Sequence, residues 1–479
     1  MKHAVVVCLD ALRPDAITEA VMPNLYRLRQ RAAHFARHRA IFPSDTRPNA
    51  AALVTGAACE THGINGNAFQ ADTREGPTLI DTGSAPAIAE ADRSIAGGLY
   101  LSPTLDCILA QHGRSMAVVS SASSGTTRLL HHDAATDHVC LYAHDDQVSL
   151  PEGFGAEMTV RLGAPPAIDT PDLSAVAYGI DGFLSYIWPQ RQPDVTLFWF
   201  NEPDVTYHAH GPFSSEAADA LIALDRQVGR LIDWWDRDGR SAGVQLTILS
   251  DHGQIPTAES VDVIGLMREA GFDAGSAVDH QGAIRVVRGG FVQIYDETGD
   301  SIQGLLGWLQ EQPWCGLIFA GASSIGAAPG ALPLSAGLYE NARAADLVFT
   351  FRARSEGGKP VVPYFDGGAA YQGMHGGLSS GETNAVCMMA GPALPTAGEI
   401  CDVPSDTSDI VPTILSGLGL PVPPEMTGRV LIDPASNRPA RRKWNSESLE
   451  ASYGQYRQVL YRFRVGDHIY IDHGVAEWR

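Results

Sequence analysis

AVVVCLD, residues Ala4 to Asp10, decides the fold. Val5 to Leu9 is a short apolar run, and Asp10 closes it. This reads as a buried parallel strand with a carboxylate at its C-terminal end. Four further runs read as strands: Ser115 to Ser120, Val195 to Phe200, Val244 to Leu249 and Asn384 to Met389. Helix patterns fall between them, over Pro103 to His112, Asp172 to Ile187, Ser215 to Trp235 and Thr407 to Gly417. Another opens at Pro23-Asn24 and runs to about His38, with Leu25, Leu28, Ala32 and Phe35 on one stripe. Alternating strands and helices predict an α/β fold, an α/β/α sandwich with a mostly parallel central sheet.

Residues 256–371 break that rhythm. RVVRGGFVQIYD (285–296), AGASSIGAAPGALPL (320–334) and ADLVFTFRAR (345–354) read as an inserted α+β cap subdomain with hairpin-like segments. The core then comprises residues 1–255 and 372–430. Residues 431–479 form a C-terminal extension, with a β-hairpin turning near Gly466-Asp467.

The chain has 479 residues, 44% of them apolar, enough for a sizeable core. Its 55 acidic and 34 basic residues give a net charge of −21. That balance opposes loose binding to nucleic acid or an anionic membrane, so neither is an expected partner. It leaves room for a small anionic substrate, because a bound cation reverses the local field. No signal-peptide pattern and no apolar run long enough to span a bilayer is visible. The seven cysteines are scattered and form no CxxC pair, which reads as free thiols in a reducing cytoplasm.

Ligand-type residues recur just after strands. Asp10 follows the first. Asp204 and His208 follow Val195 to Phe200, Asp251 and His252 follow Val244 to Leu249, and His375 follows the insertion. Ligands of open α/β sheets bind outside the carboxyl ends of strands. One carboxylate after a strand is more often a helix cap. Three carboxylates and three imidazoles at one edge are enough to hold two divalent ions. Hard oxygen with borderline nitrogen suits Zn²⁺, with Mn²⁺ and Fe²⁺ as alternatives.

FPSDTRPN, Phe42 to Asn49, follows a run that reads as a strand, Arg39 to Phe42, and places one threonine hydroxyl between two prolines. Coordination to a cation would lower the pKa of Thr46 and make it a nucleophile. The competing reading is that Ser44, Asp45 or Thr46 only caps a helix starting near Pro48.

Taken in order, the motifs resemble the type I phosphodiesterase/nucleotide pyrophosphatase branch of the alkaline phosphatase superfamily. They are VVVCLDALRPD, MPNLYRLRQRAAHF, FPSDTRPNAAALVTGAACETHGINGN, EPDVTYHAHGP, SDHGQ, MHGG and DTSDIVPTILSGLGLPVPPEMTGRVL. The resemblance implies one metal on Asp10, Thr46, Asp251 and His252, and another on Asp204, His208 and His375. It makes Thr46 the nucleophile and gives Asn67 a phosphoryl oxygen, with the Thr46 backbone N–H as a second donor. His62, His210 and His473 are left outside the site.

The implied activity is two-metal hydrolysis of phosphodiesters or phosphonate monoesters through a covalent phosphothreonine. The alternatives are a phosphonate C–P hydrolase like phosphonoacetate hydrolase, or a non-catalytic metal-binding scaffold. A small phosphoester or phosphonate is the implied ligand, and a homodimer is a compatible assembly. Tyr207 replaces the usual glycine, which predicts a crowded site wall. VVSSASSGTTRLL (118–130) lacks the lysines that recognise a substrate carboxylate in phosphonoacetate hydrolases, which leaves Arg13, Arg47 or Arg128 as substitutes. Tyr339, Phe365 and Tyr371 of the cap are candidate leaving-group contacts, against a plain core role.

Overall fold

The computed structural model describes residues 1–132, 138–277, 283–296, 299, 301–356, 359–365, 372–392, 394, 398–433 and 435–478. Its main sheet has eight strands. Their spatial order is Ile400–Cys401, Ala33–Phe35, Cys387–Ala390, Val244–Leu249, His3–Leu9, Val195–Phe200, Met116–Ser120 and Val139–Tyr142. The last five are mutually parallel, and Cys387–Ala390 runs antiparallel to Val244–Leu249.

The central strand shows why both faces are covered. Ala4, Val6 and Cys8 point into one apolar cluster, and Val5, Val7 and Leu9 into another. A strand with no polar alternation must be buried on both sides. Helices Thr46–Thr55, Leu105–Gln111 and Ile410–Leu418 cover the first face. Pro23–Arg29, Leu173–Gly182 and Ser215–Trp234 cover the second.

A six-stranded sheet lies within the inserted stretch, and its long strands are Ile284–Val287, Phe291–Asp296, Cys315–Ala320 and Leu347–Phe351. Alternation again divides its residues. Val292 and Ile294 face a cluster with helices Val263–Glu269 and Ile302–Leu309. Phe291 and Tyr295 face Ile41, Phe42 and Ala52 around the Thr46 segment. The C-terminal strands Trp444–Tyr453, Tyr456–Val465 and His468–Trp478 form an antiparallel sheet with tight turns at Gly454-Gln455 and, as expected, at Gly466-Asp467. Tyr456 and Ala476 enter the core of the inserted sheet, while Phe463 and Tyr470 enter that of the main sheet. This extension therefore ties the two together.

Two local readings differ from the structure. The helix from Pro23 ends at Arg29, and Ala33–Phe35 is a strand paired with Met388 and Met389. Edge pairing in the sheet overrode the helical stripe. The run before Thr46 pairs only over His38–Arg39, against Ser405–Asp406. The strand Trp444–Tyr453 carries no sustained apolar alternation and escaped the sequence reading. No helix among the described residues is long and apolar enough to cross a membrane. All seven cysteines are free thiols.

Candidate metal centre and active site

Strands Val244–Leu249, His3–Leu9 and Val195–Phe200 are neighbours, so their carboxyl ends open at one place. Asp251 with His252, Asp10, and Asp204 follow those three ends in turn. His208 is four residues past Asp204 on helix Asp204–His210, one turn away on the same face. His375 comes from the return of the chain after the insertion.

Two clusters result. Around Asp204, its Oδ1 lies 3.3 Å from His208 Nε2 and 3.4 Å from His375 Nε2, and the two imidazole nitrogens are 3.2 Å apart. Around His252, its Nε2 lies 3.4 Å from Asp10 Oδ1, 3.2 Å from Asp251 Oδ2 and 3.3 Å from Thr46 Oγ. The His252 and His375 rings stack at 3.8 Å between centroids, so the clusters abut. Donor atoms at ~2.0–2.1 Å from a tetrahedral zinc stand ~3.3–3.4 Å from one another. The spacing in both clusters matches that edge.

The atoms behind each donor fix its direction. His208 Nδ1 faces the Gly373 carbonyl at 2.8 Å, His252 Nδ1 that of Gly253 at 3.0 Å, and His375 Nδ1 that of Ser44 at 3.0 Å. With Nδ1 donating to a carbonyl, the lone pair of each ring sits on Nε2 and points inward. The carboxylates are split in the same way. Trp199 Nε1 donates to Asp10 Oδ2 and the Ala11 N–H donates to Asp251 Oδ1, each at 3.0 Å. Asp10 Oδ1, Asp204 Oδ1 and Asp251 Oδ2 are buried without a hydrogen-bond partner. Buried carboxylate oxygens left without partners are costly unless a cation meets them. The donor set therefore fits divalent metal.

Electrostatics agree. Burial, then neighbouring carboxylates, push Asp204 and Asp251 each up to about 8 and Asp10 well above its ordinary range. Burial pushes His252 down to about 3, and also lowers His208 and His375. Neutral imidazole is the form that ligates. Ionised carboxylates crowded here require added positive charge.

Thr46 is the first residue of helix Thr46–Thr55, with Asp45 before it in extended conformation. Asp45 does not cap that helix with its side chain. It instead accepts from Asn67, from the backbone N–H at 3.2 Å and from Nδ2 at 3.0 Å. Asn67 Oδ1 in turn accepts from the Arg47 N–H at 3.1 Å. The helix N-terminus, Asp45 and Asn67 thus form one rigid unit beside the Thr46 hydroxyl. Sequence reasoning missed Asp45 as an organiser, although its place beside the threonine was a usable signal.

Other expectations resolve differently. Tyr207 is fully buried in the core cluster behind the sheet and does not crowd the donors. Arg13 is held by Asp15 and the Gln254 carbonyl, and Arg47 reaches the Asn67 carbonyl and Ser123 Oγ, each at 3.4 Å. Tyr339 is buried and donates to the Asn65 carbonyl at 2.6 Å, so it braces the Asn67 loop from beneath. Tyr371 and the side chain of Phe365 lie outside the described residues. His62 accepts from the Ile64 N–H, and His473 stacks on Tyr461.

The inserted sheet touches the centre. A β-carbon on Gly290 would lie 1.5 Å from the His375 carbonyl oxygen. Only glycine permits this approach of the inserted backbone to a donor residue. Gln293 Nε2 donates to the Ala68 carbonyl at 2.8 Å, beside Asn67.

Known proteins resemble this chain in fold and in sequence. A solved structure of murine ectonucleotide pyrophosphatase/phosphodiesterase 5 superposes with a TM-score of 0.62 at 16% identity, over 88% of this chain and 96% of its own. Phosphonoacetate hydrolase from Sinorhizobium meliloti gives 0.62 at 17%, over 87% of this chain and 95% of its own. These likenesses establish the alkaline-phosphatase-like fold. An uncharacterized pyrophosphatase/phosphodiesterase of Schizosaccharomyces pombe is 23% identical over 269 residues, 53% of this chain. The match spans 45% of that relative, less than half its length. The sequence model of the type I phosphodiesterase/nucleotide pyrophosphatase family matches residues 4–312. With its strand-end donors and threonine at a helix start, this chain belongs to the type I phosphodiesterase/nucleotide pyrophosphatase family.

Proposed function

We propose that the chain is a two-metal phosphoric-ester hydrolase that cleaves phosphodiesters or phosphonate monoesters through a covalent phosphothreonine on Thr46. The observation that carries this reading is the pair of abutting donor clusters, with the Thr46 hydroxyl 3.3 Å from His252 Nε2. Asp10, Thr46, Asp251 and His252 would hold one ion, and Asp204, His208 and His375 the other, with Zn²⁺ suiting the donors. When bound, such ions supply positive charge that stabilises an ionised alcohol and the phosphoryl oxygens.

The chain's own residues do the rest. Thr46 presents its oxygen at a helix N-terminus, where backbone dipoles favour negative charge. As the alkoxide, its proton lost to solvent, Oγ bonds to phosphorus while the bond from phosphorus to the leaving oxygen breaks. Solvent protonates that oxygen. Asn67 orients one phosphoryl oxygen through the Nδ2 hydrogen that Asp45 does not use. Water then adds to phosphorus, the P–Oγ bond breaks and the hydroxyl returns. An inactive threonine-to-alanine form of the murine neighbour in complex with AMP supports a nucleophilic threonine on this fold.

The test is a panel of aryl phosphodiesters, phosphonate monoesters, phosphomonoesters, sulfate esters and phosphonoacetate, run with defined Zn²⁺ or Mn²⁺. Diesters or phosphonate monoesters are expected to turn over fastest. Chelation should abolish the activity and added metal restore it. Thr46→Ala should lower kcat by about a thousandfold or more, and Thr46→Ser should retain part of it. Full turnover by Thr46→Ala would remove the phosphothreonine. Faster cleavage of phosphonoacetate would transfer the reading to C–P hydrolysis.

A further inference from the structure

The inserted sheet, the C-terminal sheet and the loop after His375 enclose a cleft of about 330 Å³, and none of the metal donors lines it. Arg352 and Arg354 reach it from the inserted chain, His473 and Val475 from the last strand, and Ser379 and Ser380 from the loop. No lining residue is acidic, in a chain of net charge −21. Arg352 meets no carboxylate among the described residues. Its guanidinium lies 4.5 Å over the Trp478 ring, a contact made by its face, so its N–H edge is left for a ligand. Two carboxylates close by in the chain are already engaged. Asp472 is held by Arg39 at 2.8 Å and by His473 Nδ1 at 3.1 Å. Glu382 accepts from the Gly377 and Ser379 N–H groups at 2.9 and 3.0 Å.

Both strands that flank the cleft are bulged. The ladder of Cys315–Ala320 shifts register between Cys315 and Ile318, and that of His468–Trp478 shifts opposite Tyr461 and Arg462. A bulge re-aims side chains and interrupts pairing. These two fall at Gly316-Leu317 and at Asp472-His473, on the cleft wall or next to it. We propose that the cleft binds a small phosphate-bearing anion through Arg352 and Arg354, apart from the metal centre and independently of the hydrolase reading. An arginine fork matches phosphate oxygens with two parallel N–H···O bonds. The His473 ring, stacked on Tyr461 at 4.6 Å, joins Val475 and Leu317 in an apolar wall for the organic part of such a ligand. The volume lies within the ~300–1,000 Å³ range of small-molecule seats. Negative charge over the rest of the surface repels anions, which singles out a cleft lined by arginines and free of carboxylates.

Inorganic phosphate, titrated calorimetrically into the full chain, tests the seat. Zinc-loaded protein also offers phosphate the metals, so the titration is repeated after chelation, where one phosphate per chain should remain. Arg352→Gln and Arg354→Gln should each weaken that binding about tenfold or more, the cost of a charge-assisted hydrogen bond, and Arg352→Lys should recover part of it. Arg237, an exposed arginine paired with Asp238, is the control for net charge. Arg237→Gln should leave binding within about twofold. Hydrogen exchange on the zinc-loaded protein gives a second readout, which decides alone if the chelated chain unfolds. Phosphate should slow the amides of residues 473–476 in the unmodified protein and in Arg237→Gln, but not in Arg352→Gln. Three results overturn the proposal: phosphate binding lost with zinc from a chain that stays folded, binding or protection that survives both substitutions at Arg352 and Arg354, or acetate binding as tightly as phosphate.

Discussion

Thr46 could be a helix cap or a nucleophile by its eight-residue context alone. The structure places it at the first position of the helix with its oxygen against His252, so one residue begins the helix and faces the centre. The less visible residue is Trp199. It is fully buried, and its indole N–H fixes Asp10 through Oδ2 so that Oδ1 faces His252. Trp199→Phe keeps the apolar bulk and removes that donor. Zinc affinity, measured by competition with a chromogenic chelator, is expected to fall about 10–100-fold, the usual cost of losing a partner behind a ligand. Unchanged affinity would mean that Asp10 needs no such anchor.

At the scale of elements, the turn Val287–Phe291 joins the inserted sheet to the edge that carries the donor clusters. Its two glycines differ sharply. A β-carbon on Gly290 would collide with the His375 carbonyl at 1.5 Å, whereas on Gly289 the nearest atom is the Phe291 carbonyl oxygen at 3.6 Å. Gly290→Ala must move backbone that carries a donor, and should lower thermal stability by about 1–3 kcal/mol and weaken zinc binding. Gly289→Ala should change neither by more than about 0.5 kcal/mol. Thermal denaturation and zinc competition on the two variants decide the matter, and equal behaviour would show that the contact carries no strain. The strand after Pro23–Arg29 teaches a related lesson. Ala33 and Phe35 fit either a helical stripe or an alternating strand, and only the open edge beside Cys387–Ala390 chose between them.

For the whole molecule, buried histidines outside the centre set a pH limit. His38 is fully buried against Ser405 Oγ, and burial, then Arg39, push it down to about 3. Its folded pKa lies below the unfolded value near 6.5, so the unfolded chain takes up the proton first. The stability contributed by neutral His38 is complete above about pH 6.5 and is lost as pH falls towards 3. The loss reaches at most ~1.4 kcal/mol per pH unit. Denaturant unfolding from pH 7 to pH 4 should show this slope, and His38→Gln should flatten it. A slope identical in the two proteins would rule His38 out as its source.

The sequence by itself determined the residue types, the strands of the parallel core and the family motifs, because those are local. A buried strand needs an unbroken apolar run, and a donor must follow it to reach the sheet edge. Position after strands, with the resemblance of the motifs, was enough to put forward Asp10, Thr46, Asp204, His208, Asp251, His252 and His375 as one candidate set. Only the tertiary structure decided that strands Val244–Leu249, His3–Leu9 and Val195–Phe200 are neighbours, and that two ligand-sized clusters abut through stacked imidazoles. It also decided that the inserted sheet closes against His375, that Asp45 holds Asn67 and that Trp199 holds Asp10. Strand order and sheet contacts arise from packing between segments hundreds of residues apart, which no local pattern encodes.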